Sequence, residues 1–350
     1  MMVSSTLCSS LALLFFAPLQ SFAFSATAPT TPKGIINDGT TRSNLQGFDN
    51  QVLDRLPWIQ EGYNTWKWRG HDINYIEMGD NSKPALVLIH GFGASSYHWR
   101  YNIPDLARDY HVFAFCKLGF GLSSKPLQPY PAEVWRDQAA DFLKEVVKKP
   151  AVLAGNSLGG FTSLYTAATD DVKHLVRGVV LMNGAGRFRD PNVLLAEEKK
   201  HPFMEKVKEF AQRLVIQASF LYTKQPARIE QVLKQVYAIN SKNVDAELVE
   251  SIKYPSLDPN AAEVFYQVIM KGGSGPSVYI DDLLKKMECP LLLCWGEHDP
   301  WIRPQAANRI QALYPKSQRV SINAGHCPHD EAPDEVNEAL RNFMIQTAGA

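Results

Sequence analysis

Short runs of apolar residues recur along the chain, and each run is bounded by glycine or polar turn residues. A run of about four to eight residues without a polar face is typical of a strand buried on both sides, as in a parallel sheet covered by helices. The predicted strands of such a sheet are residues 85–89, 111–116, 151–154, 176–182, 291–295 and 318–322. Residues 66–77 instead alternate apolar and polar positions, which indicates an antiparallel hairpin at the sheet edge.

Segments with apolar residues at helical spacing separate these strands. The predicted helices are residues 99–108, 134–147, 160–169, 306–314 and 334–345. Regular alternation of strand and helix predicts an α/β fold with a doubly wound, mostly parallel sheet. From residue 187 to about residue 281 the alternation gives way to Lys- and Glu-rich helical patterns, predicted over 196–218 and 225–238. These amphipathic patterns predict a helical lid inserted into the sheet domain.

The N-terminal part of the chain has the composition of a targeting segment. Residues 1–32 contain no charged side chain, and residues 11–17 form an apolar run too short to span a bilayer but suited to the core of a signal peptide. Residues 1–23 are therefore predicted to be signal-peptide-like, and residues 24–43, rich in Ser, Thr, Pro and Ala, to be a disordered, transit-like segment. This arrangement resembles the bipartite plastid presequence of algae with secondary plastids. Secretion, with a disordered linker after the signal peptide, is the alternative.

Charge, cysteine content and motif content exclude several classes of function. Lys plus Arg and Asp plus Glu number 36 each, so neither a nucleic-acid surface nor a polybasic membrane patch is predicted. The cysteines show no C-x-x-C spacing, which argues against a zinc site or a disulfide framework. The chain has neither a Walker-type phosphate loop nor a complete dinucleotide fingerprint, and no later apolar run is long enough to cross a membrane. No cofactor and no metal are expected.

The motif richest in chemistry follows the strand at residues 151–154. Gly155-Asn156-Ser157-Leu158-Gly159 matches the G-x-S-x-G nucleophile elbow, with a strand before it and a helix after it as that motif requires. The glycines allow close packing of the turn, and the serine hydroxyl is lifted out of the sheet beside a helix N-terminus that favours developing negative charge. Ser157 is the predicted nucleophile.

A serine hydroxyl is a weak nucleophile that needs an adjacent base, and the base needs an orienting acid. Ser157, Asp299 and His326 occur in the chain order that accompanies the elbow, and each follows a predicted strand directly. His326 is therefore the predicted general base and Asp299 the predicted acid. The neighbouring residues that compete for these roles are Glu297, His298, His329, Asp330 and Glu331.

An acyl-transfer site also needs two donors for the oxyanion. The backbone N–H of Leu158, directly after the nucleophile, is the first predicted donor. The second is the N–H of Phe92, in the His90-Gly91-Phe92-Gly93 loop after the strand at 85–89. His90 is expected to brace that loop through hydrogen bonds.

These motifs resemble the α/β-hydrolase superfamily, in the subset with an AB hydrolase-1 domain. Several stretches are more particular and resemble plastid serine hydrolases of the pheophytinase and chlorophyll dephytylase group. The stretches that carry this resemblance are residues 155–160, 232–237, 243–245, 299–304 and 325–331. The resemblance covers about residues 66–345 and implies ester hydrolysis that removes phytol from chlorophyll-type pigments. We expect one α/β-hydrolase domain over residues 44–350, with the lid inserted at about 187–281. One departure is Cys116-Lys117, where such proteins usually have Asp-Leu.

The sequence thus predicts a carboxylic-ester hydrolase that works through an acyl-enzyme on a lipophilic small-molecule ester. The expected substrate is chlorophyll or pheophytin in the plastid, and a peripheral contact with the thylakoid would suit it. A carbon–carbon bond hydrolase or a perhydrolase with the same triad is an alternative. A non-catalytic ligand receptor with the same fold is another. Dehalogenases and epoxide hydrolases of this fold use an Asp nucleophile, so Ser157 argues against them.

Overall fold

A computed structural model of the chain describes residues 53–189, 202–271 and 278–348. The predicted presequence segments 1–23 and 24–43, and parts of the predicted lid, lie outside these residues. The strands of the described part are β1 Asn64–Trp68, β2 His71–Met78, β3 Ala85–Ile89, β4 His111–Phe115, β5 Ala151–Asn156, β6 Val176–Met182, β7 Leu291–Gly296 and β8 Gln318–Ile322.

These strands form one eight-stranded sheet in the order β1-β2-β4-β3-β5-β6-β7-β8. The predicted edge hairpin is β1 and β2, which pair antiparallel, and β2 also runs antiparallel to β4. All other neighbours pair in parallel. The predicted α/β fold with a mostly parallel, doubly wound sheet is confirmed. Because β3, β5, β6, β7 and β8 run in the same direction, the loops that follow them meet at one edge.

Helices lie between the strands and within the long connection from β6 to β7, where the lid was predicted. Outside that connection they are α1 Asn102–Leu106, α2 Ala132–Phe142, α3 Leu158–Ala167, α9 Gln305–Leu313, α10 Pro328–Glu331 and α11 Pro333–Ala348. Within it they are α4 Pro202–Thr223, α5 Pro226–Val236, α6 Ala246–Lys253, α7 Ala261–Tyr266 and α8 Ile280–Lys286. We refer to residues 187–281 of this connection as the lid.

The helix predicted over residues 99–108 is instead a 3₁₀ turn, Ser96–Trp99, followed by the shorter α1. Pro104 accounts for the difference, since it has no N–H to donate and its ring would clash with the carbonyl group four residues earlier in a continuous helix. In α1 this proline lies in the first turn, where no intrahelical donor is needed.

Apolar side chains alternate between the two faces of the central strands. In β3, Val87 and Ile89 join the core on one face while Leu86 and Leu88 join the core on the other. A smaller apolar cluster lies in the lid, formed mainly by α5 and α6, and it includes Cys327 from the loop after β8. The lid therefore packs directly on the segment that follows the predicted general base.

Lys117 is an exception to the apolar packing. Its side chain is fully buried, and its Nζ has no hydrogen-bond partner among the described residues. The amine lies 5.4 Å from the ring centres of both Phe120 and Trp135. Burial lowers the pKa of Lys117 well below its ordinary value of 10.5. The folded protein therefore holds a neutral amine at a pH where the unfolded chain binds a proton.

Replacing this amine should stabilise the protein. Unfolding takes up a proton at Lys117, so its contribution to stability rises with pH from the lowered pKa toward 10.5. We expect Lys117→Met to raise the free energy of unfolding at neutral pH by about 1–3 kcal/mol, and this gain to shrink near pH 10. Urea unfolding at both pH values measures the difference, with the exposed Lys316→Met as a control. A variant less stable than wild type at neutral pH would contradict this account.

Candidate active site

The three predicted catalytic residues lie at the carboxyl edge of the sheet. Ser157 follows β5 directly, Asp299 lies in the loop after β7, and His326 lies in the loop after β8. Since β5, β6, β7 and β8 are consecutive in the sheet, these loops are neighbours. The parallel topology brings together residues that are far apart in the chain.

Ser157 occupies a strained turn between β5 and α3. Its backbone has φ 53° and ψ −117°, a combination that few residues with a side chain adopt. Its N–H donates to the Met182 carbonyl oxygen at 2.9 Å, and its own carbonyl oxygen accepts from Ala185 at 2.9 Å. A Cβ at Gly159 would collide with the Ile89 carbonyl oxygen, so only glycine allows α3 to start this close to β3. These features are those of a nucleophile elbow.

His326 and Asp299 form a buried pair. The Nδ1 of His326 lies 2.7 Å from Oδ2 of Asp299, and both residues are 4% exposed. The other carboxylate oxygen accepts from the backbone N–H groups of Trp301 at 2.7 Å and Ile302 at 3.0 Å. With Nδ1 donating to Asp299, Nε2 of the neutral ring keeps a lone pair and can accept a proton.

Asn183 is a further member of this group that sequence reasoning missed. Its Nδ2 donates to Oδ2 of Asp299 at 2.8 Å, and its Oδ1 accepts from the N–H of Gly296 at 2.8 Å. The residue directly follows β6 and has φ 47°, a left-handed conformation that Asn tolerates better than most residues. An Asn-Gly pair directly after a buried strand was the available signal in the sequence.

Two contacts join the loop that carries His326 to the elbow and to the loop after β7. Asn156, next to the nucleophile, donates from Nδ2 to the His326 carbonyl oxygen at 2.8 Å. The Trp301 ring lies 4.9 Å from the imidazole, centre to centre. The elbow, the acid loop and the base loop are thus connected by direct contacts.

The loop after β3 lies beside the elbow, as predicted for the second oxyanion donor. A Cβ built on Gly91 would be 3.4 Å from the Cβ of Ser157, so the backbone before Phe92 closely approaches the nucleophile. His90 braces this loop: its Nδ1 lies 2.7 Å from the Gly91 carbonyl oxygen and its Nε2 accepts from the Lys117 N–H at 3.0 Å. Burial lowers the pKa of His90 well below its ordinary value and keeps the ring neutral.

The competing residues have other partners. Glu297 pairs with Arg319 at 2.7 Å, and His298 Nε2 lies 3.1 Å from Oδ1 of Asn323. Asp330 pairs with Arg100 at 3.0 Å. His329 is fully buried, with its ring 4.2 Å from that of Trp99, and Glu331 accepts hydrogen bonds from backbone N–H groups. Of the His residues weighed for the base, it is His326 that pairs with Asp299.

Cys116 occupies the position where a carboxylate was expected. Its sulfur lies 3.4 Å from the backbone nitrogen of Ser96 and 3.3 Å from the Ser96 hydroxyl. A thiol is a weak acceptor, so Cys116 braces this turn more weakly than a carboxylate accepting the same hydrogen bonds would. The departure concerns the 3₁₀ turn at Ser96–Trp99 and leaves the contacts of Asp299 and His326 in place.

No group of three or more His, Cys, Asp or Glu side chains in the described ranges is arranged to hold a metal ion. Within the same part of the chain, no helix has both the length and the apolarity needed to cross a membrane.

A strand-to-helix elbow with a serine at its apex, on a sheet of this order, defines an α/β hydrolase. The model of the alpha/beta hydrolase family matches residues 86–339, and the chain belongs to that family.

A chloroplastic pheophytinase of Arabidopsis thaliana is 33% identical over 317 residues, which cover 78% of this chain and 64% of that protein. The chain thus spans less than two thirds of the length of this relative. Epoxide hydrolase 3 of Xenopus tropicalis is 27% identical, over 81% of this chain and 78% of that protein. The crystal structure of a membrane phospholipase A, a bacterial virulence factor, superposes with a TM-score of 0.64 at 27% identity, covering 82% of this chain and 86% of that one. The predicted family, the α/β hydrolases, is confirmed.

The contact between Asn183 and Asp299 can be tested directly. We expect Asn183→Gly, which keeps the left-handed backbone accessible, to slow labelling of the protein by a fluorophosphonate about tenfold, because Asp299 loses a donor that orients it. Labelling kinetics measured by gel fluorescence give the rate, and circular dichroism checks the fold. An unchanged labelling rate would show that the backbone donors alone suffice to position Asp299.

Proposed function

We propose that this chain is a serine hydrolase that cleaves a carboxylic ester through an acyl-enzyme, with Ser157 as nucleophile, His326 as general base and Asp299 as the orienting acid. The observation that carries the proposal is the 2.7 Å contact between Nδ1 of His326 and Oδ2 of Asp299, at the same sheet edge as the strained turn of Ser157. The contact leaves Nε2 of the imidazole available to the serine hydroxyl.

The proposed reaction has two halves. His326 Nε2 takes the proton of Ser157 as Oγ attacks the ester carbonyl carbon, and the N–H groups of Phe92 and Leu158 receive the oxyanion. Collapse of the tetrahedral intermediate breaks the bond to the alcohol, which leaves with the proton from His326. Water, deprotonated by the same imidazole, then attacks the acyl-enzyme and releases the acid and the free serine.

The substrate we propose is a lipophilic ester, and specifically the phytyl ester of chlorophyll or pheophytin. The identity with a pheophytinase supports this choice, and the phospholipase neighbour also acts, by its name, on a lipid. A long isoprenoid chain gains roughly 0.8 kcal/mol for each CH₂ that it buries, so apolar side chains over the site would supply affinity while the triad handles a single bond. In the described part, the ring centres of Phe92 and Phe265 lie 5.7 Å apart, and the two rings form an apolar surface between the oxyanion loop and the lid.

The first experiment compares the protein lacking residues 1–43 with its Ser157→Ala variant on chlorophyll a, pheophytin a and a short-chain p-nitrophenyl ester. We expect wild type to release chlorophyllide or pheophorbide, and Ser157→Ala to lose several orders of magnitude in turnover because the nucleophile is absent. Chromatography of the pigments and absorbance of nitrophenol measure the products.

Each outcome has a defined meaning. Product from the pigments with wild type alone supports a dephytylating esterase, and the ratio of products shows which pigment is preferred. Hydrolysis of the short ester alone supports the serine mechanism and rejects the phytyl substrate. Equal turnover by Ser157→Ala would reject Ser157 as the nucleophile, and failure of a fluorophosphonate to label wild type would favour a ligand receptor with a silent site.

We also propose that the protein works in the plastid of an alga with a secondary plastid and touches the thylakoid surface from one side. The chloroplastic location of the pheophytinase relative and the composition of residues 1–43 support the compartment. The outer face of α4 supports the contact, because five exposed apolar residues lie there at helical spacing. This outer stripe consists of Ala211, Leu214, Val215, Ala218 and Leu221. Leu214, Val215 and Leu221 are each more than half exposed, at 52%, 55% and 55%.

A fluorescent fusion of the full chain in such an alga tests both proposals. We expect the protein in the plastid and, after the plastids are broken at moderate salt, in the thylakoid fraction. Leu214→Glu with Leu221→Glu should move it to the soluble fraction, because two charges on the stripe oppose insertion among lipids. Ile345→Glu, an equally exposed apolar position on α11, is the matched control and should not move it. Fluorescence in the secretory pathway would reject the plastid, and an unchanged distribution of the double variant would reject the stripe.

A further inference from the structure

A buried carboxylate beside the active site has no part in the proposed triad. Glu331 is 3% exposed and lies in α10, five residues after His326. Its Oε2 accepts from the N–H of Gly325 at 2.6 Å. Its Oε1 accepts from the N–H groups of Ile239 and Asn240, both at 2.8 Å. One carboxylate therefore joins the residue before the proposed base to the lid.

A second link joins the same two segments through backbone atoms. The N–H of His326 donates to the carbonyl oxygen of Val236, the last residue of α5, at 2.8 Å. The contact is tight, because a Cβ at Gly325 would collide with that carbonyl oxygen. The backbone N–H of the proposed general base thus donates a hydrogen bond to the lid.

A third link fixes the lid segment itself, residues 236–245, which we call the anchor. The Tyr237 hydroxyl donates to Oδ2 of Asp330 at 2.7 Å, and Arg100 contacts both Asp330 at 3.0 Å and Asp245 at 2.9 Å. Arg100 and Asp330 are fully buried. These contacts join the anchor to the sheet domain and to the loop after β8, and the buried charges of Arg100 and Asp330 satisfy one another away from water.

We propose that Glu331 is a positioning residue for His326, and that through it the anchor sets the place of the imidazole relative to Ser157 and Asp299. This inference rests on the proposed serine-hydrolase function. Glu331 acts through Gly325 and does not touch the reacting atoms. Asp330 differs, because its side chain contacts Arg100 and Tyr237 and makes no hydrogen bond to the backbone of Gly325 or His326.

The chemistry of Glu331 explains why a carboxylate is used. Its two oxygens accept three backbone N–H groups, and a buried N–H without an acceptor is costly. A glutamine has the same shape but only one oxygen, so one side of the bridge would face an NH₂ group instead of an acceptor. Either the Gly325 bond or the two lid bonds would be lost, and the imidazole would shift.

The test introduces Glu331→Gln into the protein with its complete lid. The control is Glu335→Gln, which removes the same charge on the exposed side of α11. We expect Glu331→Gln to lower kcat on the short ester by about 10²-fold, since a displacement of about 1 Å at a catalytic group has that effect, with a much smaller change in KM. Gly325→Ala leaves the carboxylate intact but displaces the same loop, because its Cβ would collide with the Val236 carbonyl oxygen, and it should lower kcat in the same way. Circular dichroism verifies that each variant is folded.

A second readout does not depend on turnover. The proton between His326 Nδ1 and Asp299 should give a low-field proton resonance, identified by its loss in His326→Gln. We expect this resonance to shift or broaden in Glu331→Gln and to stay in place in Glu335→Gln. An unchanged resonance and an unchanged kcat in both Glu331→Gln and Gly325→Ala would overturn the positioning role while leaving the serine-hydrolase function intact. If wild type hydrolyses no ester but the resonance still responds to Glu331→Gln, the proposed function fails and the positioning of His326 by Glu331 stands.

Discussion

The close approach of the elbow to the end of β3 is the constraint on which the rest of this structure depends. Ile89 of β3 pairs with Gly155 of β5, and α3 begins directly beyond that pair, where Gly159 passes the Ile89 carbonyl oxygen without room for a side chain. The turn can reverse into a helix within so short a distance only because Ser157 accepts a strained backbone. The hydroxyl group is thereby raised above the sheet edge, beside the loop that carries Phe92.

The buried polar side chains around this edge differ in whether they have hydrogen-bond partners. Asp299 receives hydrogen bonds from His326, Asn183 and two backbone N–H groups, which satisfy both carboxylate oxygens. Lys117, in the loop after β4, donates its backbone N–H to His90, but its amine is buried without an acceptor in the described part of the chain. The buried donors around this edge therefore hold Asp299 and His326 in place. At the position that departs from the family pattern, the buried amine of Lys117 lowers the stability of the fold.

The lid has two distinct relations to the site. Through residues 236–245 it is bound to the loop of His326 by backbone hydrogen bonds and by the buried charges of Arg100 and Asp330. Through α4 it presents an apolar outer stripe, while Phe220 of the same helix contacts Phe265 on the inner side. In the proposed function, the apolar part of the lid would face a lipophilic substrate while residues 236–245 hold the loop of His326 in place.

Local signals in the sequence were enough to determine the strands, the elbow and the candidate residues. Apolar runs identify buried strands, and the glycines two residues before and after Ser157 mark positions of a turn where a side chain would not fit. Both signals depend on a few consecutive residues. Only the tertiary structure decided which of the neighbouring carboxylates and histidines pair with each other. Asp299 pairs with His326 across 27 positions, Asn183 reaches Asp299 across 116, and Glu331 reaches Ile239 across 92. Such contacts leave no periodic pattern in the chain, since they arise only when the parallel strands align their carboxyl ends and the lid folds back onto the last loop.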